Sequence, residues 1–277
     1  MDPRIAPHAD GRAQVMGVVN VTPDSFSDGG RFFDPAKAAA HALTLLEAGA
    51  DWLDVGGEST RPGAEPVGEG EELDRVVPVI EAIVSERAEA RISIDTMKPA
   101  VAEAAMAAGA QMWNDVNALR ADGAVETAAR LGCLVAIMHM QGAPQTMQDS
   151  PAYDDVVTDV ARFLGQRAGA AMAAGVEREA LLLDPGIGFG KTLAHNLQLM
   201  AALAHFTSLE FPILFGASRK RFIAALDDSA SEASDRLGGS LAAALHAARA
   251  GCSLIRVHDV RETVQALKVQ AAIAGAG

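Results

Sequence analysis

Apolar residues along this chain fall into two alternating rhythms. Short, largely β-branched runs appear as QVMGVV, DWLDVG, RISID, QMWND, CLVAIMH, ALLLD, PILFG and SLIRVH. A short apolar run bounded by turn residues reads as a strand covered on both faces. Between these runs lie Ala-rich stretches such as PAKAAAHALTLLEAG, EELDRVVPVIEAIVSER and LAHNLQLMAALAHF. Their apolar residues recur at three- and four-residue spacing, as in Val76, Val79, Ile80 and Ile83, the stripe of a helix with one buried side. Several end at a glycine (Gly49, Gly109, Gly132, Gly175, Gly251), the usual helix stop. Eight strand–helix alternations predict a single α/β domain of the (β/α)8 barrel type. A doubly wound sheet is the alternative. It usually shows fewer strands and a Gly-rich turn after the first, where this chain has NVTPDS. No linker or shift in composition divides the chain. Residues 1–13 are expected as an N-terminal tail and residues 14–277 as the barrel. The segment from His139 to Asp159 is expected to be a loop leading into a longer helix.

A length of 277 residues suits such a barrel. With 49% hydrophobic residues and only 4% aromatics, Ala, Val, Leu and Ile must fill the interior. The formal net charge of -13 argues against general binding to nucleic acid or membrane surfaces. A local cluster of cations can still hold a small anion. Cys133 and Cys252 each open an apolar run and read as small buried residues, consistent with a reducing cytosol. The N-terminus lacks a signal-peptide core, and no stretch is long enough to span a bilayer.

In a barrel of this kind, chemistry gathers where the strands end. The residues closing the eight runs are Asn20; Asp54 with the loop GGESTRPGAEPV; Asp95; Asn114 and Asp115; Met138 and His139; Asp184 with DPGIGFGK; Gly216, Ser218, Arg219 and Lys220; and Arg256 with His258. Taken singly, Asp54, Asp115 or Asp259 reads as a cap or turn residue. Asp95 and Asp184 follow directly on apolar runs, so their carboxylates lie near a dry interior and want donors. A flat heterocycle with amidine-like N–H groups supplies them, and Asn114 can donate and accept in the same plane. That set suits a purine- or pterin-like ring. Arg61, Arg219, Lys220, Arg256 and His258 form the cationic counterpart. Arg256 and His258 alternate with Val257 and share a face, next to Asn20 across the closed barrel. Phosphate or diphosphate fits there, and Asn20 can add an oxygen to a Mg2+ held mainly by phosphate and water.

Other signals are weaker. GIGFGKT resembles a phosphate loop, but Gly186 and Gly190 are one residue too close for the nucleotide pattern; the glycines instead permit tight turns or close approach. His139 is either a ligand contact or a packed strand-end residue. Phe189 is either a buried plug or the wall of an aromatic pocket. The polar stretch after Asn20, which carries Phe26, is either an ordinary surface loop or a functional loop on a rigid strand.

Taken together and in order, NVTPDSFSDGG, GGESTRPGAEPV, SIDT, WNDV, MHMQG, DPGIGFGKT, GASRKRFIA and RVHDV resemble the dihydropteroate synthase family, from about Val15 to the end of the chain. The resemblance implies a (β/α)8 barrel. It also implies a transferase that joins 6-hydroxymethyl-7,8-dihydropterin diphosphate to p-aminobenzoate, with Mg2+, releasing pyrophosphate. By that resemblance Asp95, Asn114, Asp184 and Lys220 match the pterin site, with Met138 and Gly216 lining it. Asn20, Arg256 and His258 match the diphosphate site, Asn20 being the Mg2+ ligand. Thr60, Arg61, Pro62, Phe189, Ser218 and Lys220 match the surroundings of p-aminobenzoate. Phe26, Ser27 and Asp28 match a mobile first loop that closes over the site, where Asp28 would steady a developing cation. A homodimer in the cytoplasm, with small-molecule substrates and neither nucleic acid nor membrane, is what the family implies.

The implied chemistry is SN1-like. Diphosphate leaves once its charge is neutralised, the pterin delocalises the positive carbon, and an arylamine attacks without a strong base. Three rivals share parts of the pattern, one of them a catalytically silent relative that only binds, against which stand the intact lid and anion motifs. A methyltetrahydrofolate-binding barrel has no diphosphate to hold, against which stand Asn20, Arg256 and His258. An aldolase-type lyase needs a Schiff-base lysine inside an apolar strand, whereas Lys220 opens a helix.

Overall fold

The computed structural model describes residues 1–22, 34–60 and 63–276. Eight parallel strands form one sheet: β1 (Gln14–Asn20), β2 (Trp52–Gly56), β3 (Ile92–Asp95), β4 (Met112–Asp115), β5 (Leu134–Met138), β6 (Leu181–Asp184), β7 (Leu214–Phe215) and β8 (Leu254–Val257). Their order is β6-β5-β4-β3-β2-β1-β8-β7. A bridge between Leu183 and Ile213 closes β6 onto β7, with Leu183 N–H donating to Pro212 O at 2.9 Å. This is the (β/α)8 barrel expected from the alternation of runs.

The strands are buried on both faces because each face meets a different core. Val15, Val19, Leu53, Val55, Ile92, Ile94 and their counterparts pack outward under the helices. Met16, Trp52, Met112, Leu134, Leu182, Leu214 and Leu254 pack inward as a separate cluster. Residues 1–13, expected as a tail, run across the floor of this inner cluster. A single 3-10 turn, Pro3–Ile5, drives Ile5 into it with no exposure. Gln14 fixes the turn: its Nε2 donates to Ala6 O at 2.6 Å while its Oε1 accepts the Trp52 indole N–H at 2.9 Å. Burying Ile5 there is worth about 1.5–3 kcal/mol.

The helices around the sheet are α1 (Pro35–Glu47), α2 (Glu69–Glu86), α3 (Pro99–Ala108), α4 (Ala124–Leu131), α5 (Val156–Ala173), α6 (Leu193–Ala201), α7 (Leu203–Thr207), α8 (Arg221–Ala224), α9 (Leu237–Arg249) and α10 (Val260–Ala274). Local chemistry sets their starts. Asp34 accepts from the Ala36 and Lys37 N–H groups with Pro35 in the first turn, and Asp155 does the same for Val157 and Thr158. One predicted helix, LAHNLQLMAALAHF, runs instead as α6 and α7, divided at Ala202; nothing in the local sequence explains the break. The segment after His139 is irregular up to α5, as its sequence suggests.

Candidate active site

Strand register decides which polar residues meet. Residues two apart share a face, so alternation from the inner cluster carries Asp54, Asp95, Asn114, Met138, Asp184, Gly216 and Arg256 to the inside of the barrel near its C-terminal mouth. Asp95 pairs in register with Asn114, and Met138 with Asp184. Asn20 ends β1 opposite Gly56, which is itself opposite Asp95.

Arg256 is the hub. Its Nε donates to Asp54 Oδ2 at 2.6 Å and its Nη2 to Asp95 Oδ2 at 2.8 Å. Asp54 Oδ2 also accepts the Asn114 Nδ2–H at 3.1 Å, which fixes the amide's orientation. Asp54 is therefore a correction. Read as a cap or turn residue, it is a buried carboxylate inside the mouth that holds both Arg256 and Asn114. Asp115, by contrast, points outward and accepts the Asn117 and Leu119 N–H groups at 2.7 Å each, a turn brace as expected. Burial, then the neighbouring charge of Asp54, pushes the Asp95 carboxyl up to about 7, with Arg256 opposing. Burial also raises Asp184, opposed chiefly by Lys220.

Lys220 lies across the mouth from these carboxylates. Its Nζ donates to Ile187 O at 2.5 Å and sits 4.6 Å from the centroid of the Phe189 ring, a cation–π contact. Burial pulls its pKa down to about 8, with Asp184 pulling the other way. Phe189 packs with Met97 against a small apolar cluster of Val116, Met138, Met140 and Met147. Half-buried, it is not a sealed plug, and its ring stands between this cluster and the Lys220 ammonium. The neighbouring Arg219 does not join the expected anion site. It takes a left-handed φ of +58°, a conformation that costs a non-glycine residue about 1–3 kcal/mol. The turn is held by Ser240 Oγ, which accepts the Arg219 N–H at 2.9 Å, and by Arg236, which donates to the Arg219 carbonyl at 3.0 Å. Its consequence is to separate two consecutive cations, Arg219 pairing with Asp259 while Lys220 turns into the mouth.

His258 follows β8. Ser218 Oγ accepts its N–H at 3.2 Å and lies 3.1 Å from its Nδ1. Thr60 is half-buried on the lip after β2. That lip is anchored by Lys98, whose Nζ binds Glu58 at 2.6 Å and the fully buried Glu72 at 2.5 Å, while Glu58 accepts the Val67 N–H at 3.0 Å. Gly216 lies beside Arg256. Phe26, Ser27, Asp28, Arg61 and Pro62 lie outside the described residues.

The glycines of DPGIGFGK serve close approach, as expected. A Cβ on Gly186 would sit 1.9 Å from His139 O, and one on Gly190 would sit 2.8 Å from Gln141 O. His139 is packed rather than open. Its ring stacks edge-on to Phe163 at 4.9 Å and meets Lys191 Nζ at 2.9 Å. Cys133 and Cys252 are buried free thiols. Lys191 was missed by sequence reasoning, because in GIGFGKT it reads as a failed phosphate-loop lysine.

The carboxylate slot and the cations thus share one mouth, joined directly by the Arg256–Asp95 contact. Residues 16–258 match the pterin binding enzyme family. The chain belongs to that family. A dihydropteroate synthase of Escherichia coli strain K12 is 51% identical over 255 residues, covering 92% of this chain and 89% of the relative. A Xanthomonas albilineans dihydropteroate synthase solved with 4-aminobenzoic acid superposes with a TM-score of 0.89 at 52% identity, covering 95% of this chain and 93% of that one. The same organism's dihydropteroate synthase in complex with 7,8-dihydropteroate gives 0.86 at 48% identity, over 96% and 95% of the two chains. Among the described residues no helix is long and apolar enough to cross a membrane.

Proposed function

We propose that this chain condenses 6-hydroxymethyl-7,8-dihydropterin diphosphate with p-aminobenzoate to give 7,8-dihydropteroate and pyrophosphate, the activity its relatives are named for. One observation carries the reading. Asp95, Asn114 and Asp184 face into a single mouth with Arg256 and Lys220. Buried carboxylates accept hydrogen bonds, and the amino and ring N–H groups of a pterin donate them. The ring edge is thereby read by Asp95, Asn114 and Asp184, with Met138 beneath it.

The diphosphate goes to the cationic side. Arg256 has five N–H donors and spends two of them on Asp54 and Asp95, which leaves donors for phosphate oxygens beside His258. The donor set also fits Mg2+. Asn20 offers one neutral oxygen at the lip, and Mg2+ prefers a site completed by substrate phosphates and water over an all-protein cage. When bound there, Mg2+ would neutralise charge on the leaving group. The protein's own part is to neutralise diphosphate through Arg256 and His258. Phe189 and Lys220 offer a flat aromatic face with a cation for p-aminobenzoate, and Thr60 and Ser218 are assigned to it by resemblance. An arylamine is already nucleophilic, so departure of diphosphate ahead of amine attack, SN1-like, asks for no strong base. Asp28, Arg61 and Pro62 complete the assignment by resemblance.

Val269 and Ile273 on α10 are 56% and 66% exposed, apolar positions that suit a homodimer contact. Two free buried cysteines suit a reducing cytoplasm. Incubating the protein with the pterin diphosphate and p-aminobenzoate, with and without Mg2+, and assaying pyrophosphate tests the reading. Release that depends on both substrates supports it, and no release from folded protein overturns it.

A further inference from the structure

Lys191 stands behind the mouth, and the reaction as proposed gives it no part. It is 3% exposed. Burial draws its pKa down to about 7, and all three hydrogen-bonding directions of its amine are taken here. Nζ meets His139 Nδ1 at 2.9 Å and donates to Phe189 O at 2.9 Å and to His139 O at 3.3 Å. Burial holds the His139 ring neutral, its pKa drawn down to about 3, so Nδ1 is free to accept. The partners belong to two elements, the end of β5 and the loop from Gly186 to Lys191. The rest of that loop is pinned as well. Gly186 N–H donates to Asp184 at 2.7 Å, Gly188 N–H to Asn196 at 2.7 Å, Gln148 to Gly188 O at 2.6 Å, and Tyr153 Oη to Gly190 O at 2.7 Å. Lys191 holds the one carbonyl that belongs to Phe189 itself.

We propose that Lys191 is a positioning residue for p-aminobenzoate: it ties the Phe189 backbone to His139 and so fixes the aromatic wall against which Lys220 rests. This rests on the reading of Phe189 and Lys220 as one face of the p-aminobenzoate site. Asp95 and Asn114, on β3 and β4, do not touch this clamp; Asp184, the third residue on the pterin edge, borders it, accepting the Gly186 N–H at 2.7 Å and feeling the Lys191 charge.

The test uses full-length Lys191→Met and Lys191→Gln. Losing the tie loosens the wall, so the KM for p-aminobenzoate rises about tenfold in K191M, the equivalent of one buried hydrogen bond. K191Q keeps an amide donor and shows a smaller rise. The Kd for pterin diphosphate, by calorimetry, rises by about threefold at most, well short of the p-aminobenzoate change, because Asp95 and Asn114 stay in place while Asp184 loses one neighbouring charge. A merely structural role would lower kcat with the folded fraction and leave KM alone. An unchanged p-aminobenzoate KM in K191M overturns the proposal. So does a parallel rise in pterin diphosphate Kd, or failure of both variants to fold. If K191M alone fails to fold, K191Q decides by the same readouts. Wild-type protein runs alongside. If it releases no pyrophosphate, the functional reading itself fails and takes this inference with it. If it does while K191M matches it, only the role of Lys191 falls.

Discussion

Lys220→Met separates function from folding at one position. Methionine keeps the length of the side chain and removes the charge. Three contacts change together: the 2.5 Å donation to Ile187 O, the 4.6 Å approach to the Phe189 ring and the counter-charge to Asp184. On the binding side, a charged donor offered to a ligand contributes about 1.5–3 kcal/mol, a loss of about 10- to 150-fold in affinity. Both substrates are affected, since Lys220 sits between the pterin slot and the Phe189 wall. On the folding side, burial opposes the Lys220 charge, which is why its pKa falls to about 8. Removing that charge leaves Asp184 without its main counter-charge, and the carboxyl answers by holding a proton. The melting temperature at pH 6 is therefore expected to stay within about 4 °C of wild type, about 1–2 kcal/mol for a chain of this size. Calorimetric titration with each substrate, pyrophosphate release and thermal melting measure the three quantities. Wild-type turnover would refute the reasoning. So would a loss of activity matched by an equal loss of folded protein.

Asp54→Asn keeps the shape of the hub but removes the charge that, after burial, does most to lift Asp95; the acid limb of kcat/KM should move partway to lower pH, and a fixed limb would show that Asp54 does not act on Asp95. In the wild type, the slot accepts hydrogen bonds once Asp95 loses its proton near pH 7, and the cation is lost as Lys220 deprotonates near pH 8; a narrow bell between those values is expected in a pH–rate profile. The same shift has a sign for stability. The folded Asp95 keeps a proton that the unfolded one, with an ordinary value of 3.8, gives up. Its contribution to stability therefore falls as pH rises from about 4 to about 7 and is fully present only below that window, a slope that melting of wild type and Asp95→Asn compares. Ile5→Ala empties the floor of the barrel and should cost about 2–5 kcal/mol in denaturant unfolding while leaving the KM for both substrates unchanged.

The sequence by itself determined the repeating strand–helix order, the closure of the chain into one barrel, and the polar residue at each strand end. Period and turn chemistry are local, and they survive without knowledge of the partners. Which of those residues meet was decided only by the tertiary structure. Asp54 and Asp115 look alike along the chain, each an aspartate at the close of an apolar run. One points into the mouth and the other under a helix. In a half-exposed sheet, alternation of apolar and polar positions would tell inside from outside. Here both faces of every strand are buried, so that signal is absent, and only the register between neighbouring strands sets the direction. Lys191 and Ile5 were hidden for a related reason. A buried lysine is tolerated where the distant His139 brings two acceptors beside the Phe189 carbonyl, and a tail becomes a floor where the inner cluster has room for one more side chain. Neither condition is written in the residues next to them. Arg219 and Lys220 give the sharpest case: consecutive cations in the sequence, they were assigned to opposite partners by a single left-handed residue.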